Sequence, residues 1–434
     1  MAEKYKLGLS RNSLFEFYSS VVFCGAFGDS PDIAEVQKAI KMLSIKEPCI
    51  TANVELNNNS EAFIVTGVVE PEVEISTLNS DEVLAFYEAE PLKFCDRLFS
   101  FHISADNCLI IAGHTVFCDA KSLLRLASYF SAYYEKTTLS VEPDEIYTFS
   151  EPKSLPVDVI SPLVNKLSSE LDDDWQKNKR AYANADYISA REKYLKTLSK
   201  VGMASVFLTC DEVKNIRDNC GDMEVDFSSA VCFAFYKAVK SDVRMPKKSS
   251  KMRITADRRF FHGGNKNYSV GAYNGTVSVH LTPKELRKNE AEQLKLFHTD
   301  IYRALTSPFR VFSDEILLNN IQADYCDSSY MYLAGENKFK SSKNLAQTYG
   351  CMNEEMCEFL YCNLTQRFWG ALSFFKDVFV SEPFRPHRAR LSVTAIETGN
   401  GCKCELRFDS SKITQSQADE IVCNARKYLL NLKN

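Results

Sequence analysis

Apolar positions alternate along several short stretches of the chain and recur every three to four residues along others, so strands and helices are both expected. LFSFHIS (98–104) and CLIIAGH (108–114) flank the polar turn Ala105-Asp106-Asn107 and predict a β-hairpin. LSVTAIE (391–397) and CKCELRF (402–408) flank Thr398-Gly399-Asn400-Gly401, where Gly and Asn tolerate positive φ, and predict another. SVGAY and TVSVH flank Asn274-Gly275, a dipeptide that signals a tight hairpin turn. Helical spacing runs through DIAEVQKAIKMLS, SLLRLASYFSAYYEK, FSSAVCFAFYKAVKS and SQADEIVCNARKYLLNL. Ser122 and Ser228 stand where N-caps are expected, just before apolar helical runs.

The pattern breaks between about Glu142 and Ala190. Prolines at 143, 152, 156 and 162 come first, then the charged stretch ELDDDWQKNKR, which reads as a solvated connection between two halves. Asp172, Asp173 and Asp174 read as a solvated helix start, with divalent-cation binding the alternative, because consecutive carboxylates do not share one helix face. The expectation is an α+β chain of two similar halves, residues 1–165 and 191–434, joined through 166–190.

Composition narrows the class. The 434 residues are 45% hydrophobic and 25% charged, the balance of a soluble globular protein with ample surface to bury. A net charge of -5 argues against a general nucleic-acid binder. No apolar run reaches the roughly 18–20 residues that span a bilayer, and MAEKYKLGLSRNS has no hydrophobic leader core. Fifteen cysteines without paired spacing then predict free, mostly buried thiols in a reducing cytoplasm. Cys402 and Cys404 are expected to alternate on a strand, and Cys351, Cys357 and Cys362 to share a helix face, rather than to bind metal.

The chemistry points to residues 108–122, CLIIAGHTVFCDAKS, an apolar strand ending in a polar loop with His114, Thr115 and Asp119. This stretch resembles the H-H-x-x-x-D-G motif of the chloramphenicol-acetyltransferase-like superfamily, which includes nonribosomal-peptide condensation domains, alcohol acyltransferases and plant BAHD acyltransferases. LGLSRNSLFEFY, PLKFCDRLFSFHIS, MRITADRRF and the closing GCKCELRFDSSKITQSQADEIVCNARKYLL resemble other parts of that family, in order. The resemblance implies two related α+β lobes, with mixed, mainly antiparallel sheets flanked by helices, meeting in a V around a tunnel. It implies acyl transfer from an acyl-CoA or a carrier-protein phosphopantetheine thioester to a small-molecule hydroxyl or amine. An acyl or peptidyl carrier protein is an expected partner, and no resident metal or cofactor is expected.

By position the first motif His is His114, the catalytic His is Thr115, the Asp is Asp119 and the Gly is Ala120. The resemblance makes Asp119 a structural residue paired with Arg259 or, as the other choice, Arg258. A hydroxyl is a poor general base, so Thr115 leaves the reaction without its usual proton acceptor. His114 would take that role only if a bulge near Gly113 turned its ring into the tunnel; on a regular strand it is a buried hydrogen-bonding residue. Cys118 is the alternative nucleophile, disfavoured by its acidic neighbour. Asn363, Tyr273 and Asn274 are candidate substrate contacts, although Asn363 also reads as a turn cap. His262 reads as an exposed turn residue, and RMPKKSSKMR as a solvated loop or a site for CoA phosphates or an acidic carrier protein. Two functions stand side by side: an acyltransferase or condensation-type enzyme with an altered site, and a non-catalytic binder of a carrier protein, CoA ester or other ligand. An interaction protein whose tunnel is closed by side chains is a third. A His114 ring facing the tunnel favours the enzyme, and one packed into the first lobe favours the binder.

Overall fold

The computed structural model describes residues 2–137, 139–146, 162–197, 200–242, 251–261, 270–313, 316, 321–348, 357–365, 367–386 and 388–432. His262 and its two glycines, most of RMPKKSSKMR, Cys351, Pro152 and Pro156 lie outside them.

Two sheets carry the architecture. In chain order the strands are β1 (Lys4–Lys6), β2 (Ser20–Ala26), β3 (Asn53–Leu56), β4 (Ala62–Val65), β5 (Val73–Ile75), β6 (Phe99–Ile103) and β7 (Cys108–His114). Then come β8 (Val201–Thr209), β9 (Met252–Asp257), β10 (Asn274–Val279), β11 (Cys357–Asn363), β12 (Asp377–Ser381), β13 (Leu391–Thr398) and β14 (Gly401–Asp409). The first sheet runs β12-β2-β7-β6-β5, the second β10-β9-β11-β13-β14-β8, and β1-β4-β3 form a small third sheet. Pairing is antiparallel except at β5–β6 and where β11 meets β9 and β13. The chain is thus α+β, as the hydrophobic pattern predicts, and its sheets are mixed and mainly antiparallel, as the resemblance implies.

Alternation explains where each core sits. Leu109 and Ile111 on β7 face a core shared with the Ile33–Lys46 and Ala120–Tyr134 helices. Ile110 and Ala112 face the opposite side, against Val83 and Tyr87 of the Ser80–Ala89 helix. In β14, Cys402, Cys404, Leu406 and Phe408 enter a second core with the Phe227–Ser241 and Gln415–Leu430 helices. The intervening Arg407 turns to the first lobe, where it pairs with Glu88 as well as its neighbour Glu405. Beside that pair a recess opens between the lobes, lined by Tyr18, Tyr87, Val201, Ser381 and Phe384 among others.

The chain crosses between lobes late. β12 anneals to β2 in antiparallel register, Asp377↔Ala26 through Ser381↔Val22, so a late segment completes the first sheet. The stretch after Glu142 carries helices Pro162–Gln176 and Asn184–Leu195, and Trp175 stacks on Tyr325 with ring centroids 5.0 Å apart.

Both outer hairpins form, β6–β7 and β13–β14. The expected Asn274-Gly275 turn does not, because both residues open β10, paired with Asp257 and Ala256 of β9. Gly275 is needed for close approach instead: a Cβ there would sit 2.6 Å from the Val311 carbonyl oxygen. The caps also differ from expectation. Asp119, not Ser122, caps Ala120–Tyr134, and Asp226, not Ser228, caps Phe227–Ser241, each accepting an N–H three residues on. Cys357 and Cys362 lie on strand β11, not on a helix face, and Asp172–Asp174 fall in the last turn and a half of their helix, not its start.

Candidate functional site

Strand β7 keeps unbroken register with β2 from Ser20↔His114 to Ala26↔Cys108, and with β6 from Phe99↔Gly113 onward. No bulge interrupts it at Gly113, so His114 keeps the regular alternation of the strand. Its ring is fully buried, edge-on to Phe94 at 6.2 Å and close to Arg191. Nδ1 accepts the Val116 N–H at 3.1 Å, which places the ring proton on Nε2. Nε2 has no hydrogen-bond partner among the described residues. Burial, and after it the Arg191 charge, pulls the imidazole pKa down to about 3, so the ring is neutral at working pH. His114 is thus enclosed, with its ring against Phe94.

Thr115 begins the loop that follows. Its N–H donates to the Ser19 carbonyl at 2.8 Å, and its Oγ1 is buried with no partner among the described residues. Two residues further, the Phe117 N–H returns to the His114 carbonyl and tightens the loop. Cys118 is buried, and burial together with Asp119 pushes its thiol well above the usual range, so it stays protonated.

Asp119 joins the lobes. Its Oδ1 accepts the Ser122 N–H at 2.8 Å and so caps the helix. Arg259 donates to both oxygens, Nη1 to Oδ2 at 2.8 Å and Nη2 to Oδ1 at 3.0 Å, a two-armed pair with both side chains buried. The Tyr273 N–H donates to Oδ2 at 3.0 Å, and the Tyr273 ring lies 4.2 Å from the guanidinium carbon. Ser122 Oγ accepts from Arg259 Nη2 and from the Gly271 N–H, and donates to the Gly271 carbonyl. Arg258 turns elsewhere, over Phe312 and toward the Val311 carbonyl.

A carboxylate from a third segment completes the junction. Glu382, directly after β12, accepts the Ala120 N–H at 2.8 Å and the Asn274 amide at 2.6 Å, both on Oε1. Burial, then the Asp119 charge, pushes its carboxyl up to about 7, against the pull of the Ala120 N–H, Arg385 and Asn274. Nearby, Lys121 pairs with Asp257 at 2.8 Å.

No family model matches this sequence, and no curated protein matches it. Solved structures do. The condensation domain of the monacolin K polyketide synthase MokA is similar with a TM-score of 0.61 at 10% identity, over 99% of this chain and 97% of that one. The epimerization domain of the third module of tyrocidine synthetase B gives 0.61 at 12% identity, over 100% and 96%. Trichothecene 15-O-acetyltransferase from Fusarium sporotrichioides gives 0.62 at 11%, over 100% and 96%. At these identities the likeness is one of fold: this chain shares the fold of those condensation and epimerization domains and of that acetyltransferase.

The structure brings Asp119, Arg259, Tyr273 and Asn274 together at the lobe junction. Asn363 ends β11 and bonds locally, its Oδ1 accepting from the N–H and Oγ1 of Thr365, which is turn capping. Sequence reasoning missed Glu382 and the part played by Ser122. SEPFR has no spacing that marks a site, and Glu382 reaches the loop only because β12 anneals to β2. Among the described residues no helix is long and apolar enough to cross a membrane.

Proposed function

We propose that this chain transfers an acyl group from a thioester, an acyl-CoA or an acyl chain on a carrier-protein pantetheine arm, to a small-molecule hydroxyl or amine, using a proton acceptor other than the motif histidine. The observation that carries this reading is the two-armed Asp119–Arg259 pair, which holds the Thr115–Ala120 loop at the junction between lobes. Positioning of that kind supplies much of the catalysis in a two-substrate reaction, on the order of 7–11 kcal/mol at best. The similar structures include a condensation domain and an acetyltransferase, which supports acyl-group chemistry at this fold.

The test incubates the protein with acetyl-, hexanoyl- and palmitoyl-CoA and an amine or alcohol acceptor, reading thioester loss by ultraviolet absorbance. A thiol reagent is unsuitable because Cys210 and Cys423 are exposed. Turnover by the native chain that persists in His114→Ala is the expected result. Turnover that vanishes in His114→Ala returns the base to His114.

A second reading is the non-catalytic binder, favoured by the complete enclosure of His114 and by the hydroxyl at Thr115. It predicts a silent native chain, thioester binding by calorimetry, and activity gained in Thr115→His.

A further inference from the structure

Acyl transfer to an O–H or N–H acceptor needs a lone pair that takes the acceptor's proton and returns it to the departing sulfur. At the junction most lone pairs are committed. Asp119 accepts from two Arg259 nitrogens, the Ser122 N–H and the Tyr273 N–H. Asp257 is shared between Lys121 and both the backbone and side chain of Arg259. His114 holds the Val116 amide on Nδ1 and keeps its proton on a buried Nε2. Glu382 differs. Both of its donors, one from each lobe, meet Oε1; among the described residues none meets Oε2, and the residue is largely but not fully buried.

Resting on the acyl-transfer reading above, we propose that Glu382 is the general base of the reaction, acting from the crossover segment in place of the motif imidazole. Oε2 takes the proton from the acceptor oxygen or nitrogen as that atom bonds to the thioester carbon. The C–S bond then breaks as the tetrahedral intermediate collapses, and the carboxyl passes its proton to the departing thiolate. Nothing is oxidised or reduced, and the carboxylate is restored. The Ala120 and Asn274 donors fix the carboxylate plane, so the free oxygen is presented in one orientation. The charged and titratable groups facing it are Asp119 and Cys118 from the motif loop, Cys362 from β11 and Arg385 from its own segment. Burial and the Asp119 charge, opposed by Arg385 and the two donors, bring its carboxyl to about 7, where a general base works best.

The test measures kcat and KM of native and Glu382→Gln chains with an acyl-CoA that the native chain uses and an alcohol acceptor, which has no titration of its own in the range. Gln keeps an oxygen for the Ala120 N–H, and circular dichroism checks its folding. The expected loss in kcat is about 10²- to 10⁴-fold with KM little changed. The native profile should rise through about pH 7, and that limb should disappear in the variant. An equally active Glu382→Gln, or a native profile without that limb, overturns the proposal while leaving acyl transfer standing. The native profile serves alone if the variant fails to fold. A native chain that consumes no thioester overturns the transfer reading itself, and the role of Glu382 with it.

Discussion

The two sides of the Thr115–Ala120 loop contrast sharply. On the Arg259 side the donors and acceptors are matched: Asp119 takes four hydrogen bonds, and Ser122 Oγ both accepts and donates. At the start of the loop His114 Nε2 and Thr115 Oγ1 have no partners among the described residues, and at its end Glu382 takes both of its hydrogen bonds on one oxygen. A loop so firmly held does not depend on which side chain it presents for chemistry. Position and reactivity are separate properties here: Thr115 follows His114 in the loop, and the frame around Asp119 is complete without a contribution from either side chain.

The largest effect should come from breaking the matched side. Asp119→Ala removes the two-armed partner of the buried Arg259, leaving it Asp257 and Ser122, and should cost about 3–5 kcal/mol, read as a lower urea midpoint at unchanged slope. A loss below about 1 kcal/mol would mean the loop is held from elsewhere.

The next test uses pH, because His114 and Glu382 have opposite signs. His114 falls from 6.5 to about 3 on folding, so the unfolded chain binds the extra proton between those values and stability drops as pH falls through that window. Glu382 rises from 4.5 to about 7, so the folded chain binds the extra proton and stability drops as pH rises through that window. Each slope is at most about 1.4 kcal/mol per pH unit. Urea unfolding of the native chain against His114→Ala and Glu382→Gln separates them, and two variants with the native pH dependence would refute both assignments.

Ser122→Ala leaves Gly271 and one arm of Arg259 short of partners and should cost about 1–3 kcal/mol in the same assay. Thr115→Val is the smallest change. It removes a buried hydroxyl without a partner, so stability should hold or rise by about 1 kcal/mol. Its kcat should stay at the native value, and a large fall would move Thr115 from the frame into the chemistry.

Much of the frame was legible along the chain. The β6–β7 and β13–β14 hairpins pair alternating apolar runs with short polar turns, signals complete within about twenty residues. Asn274-Gly275 carried a similar local signal and formed no turn, because the demand on Gly275 comes from the Val311 backbone across space. Ser122 stood at a plausible cap position, yet Asp119 took the cap while also meeting Arg259, a double duty that spacing does not display.

By itself the sequence determined the α+β class, the main hairpins and the polar loop from His114 to Asp119 that follows the first of them, since all are local in the chain. Only the tertiary structure decided that His114 is enclosed against Phe94, that Ser122 serves Arg259, and that Glu382 stands beside Ala120. These depend on an unbroken β7 register and on β12 joining β2 about 350 residues away, contacts fixed by how strands anneal rather than by neighbours in the chain.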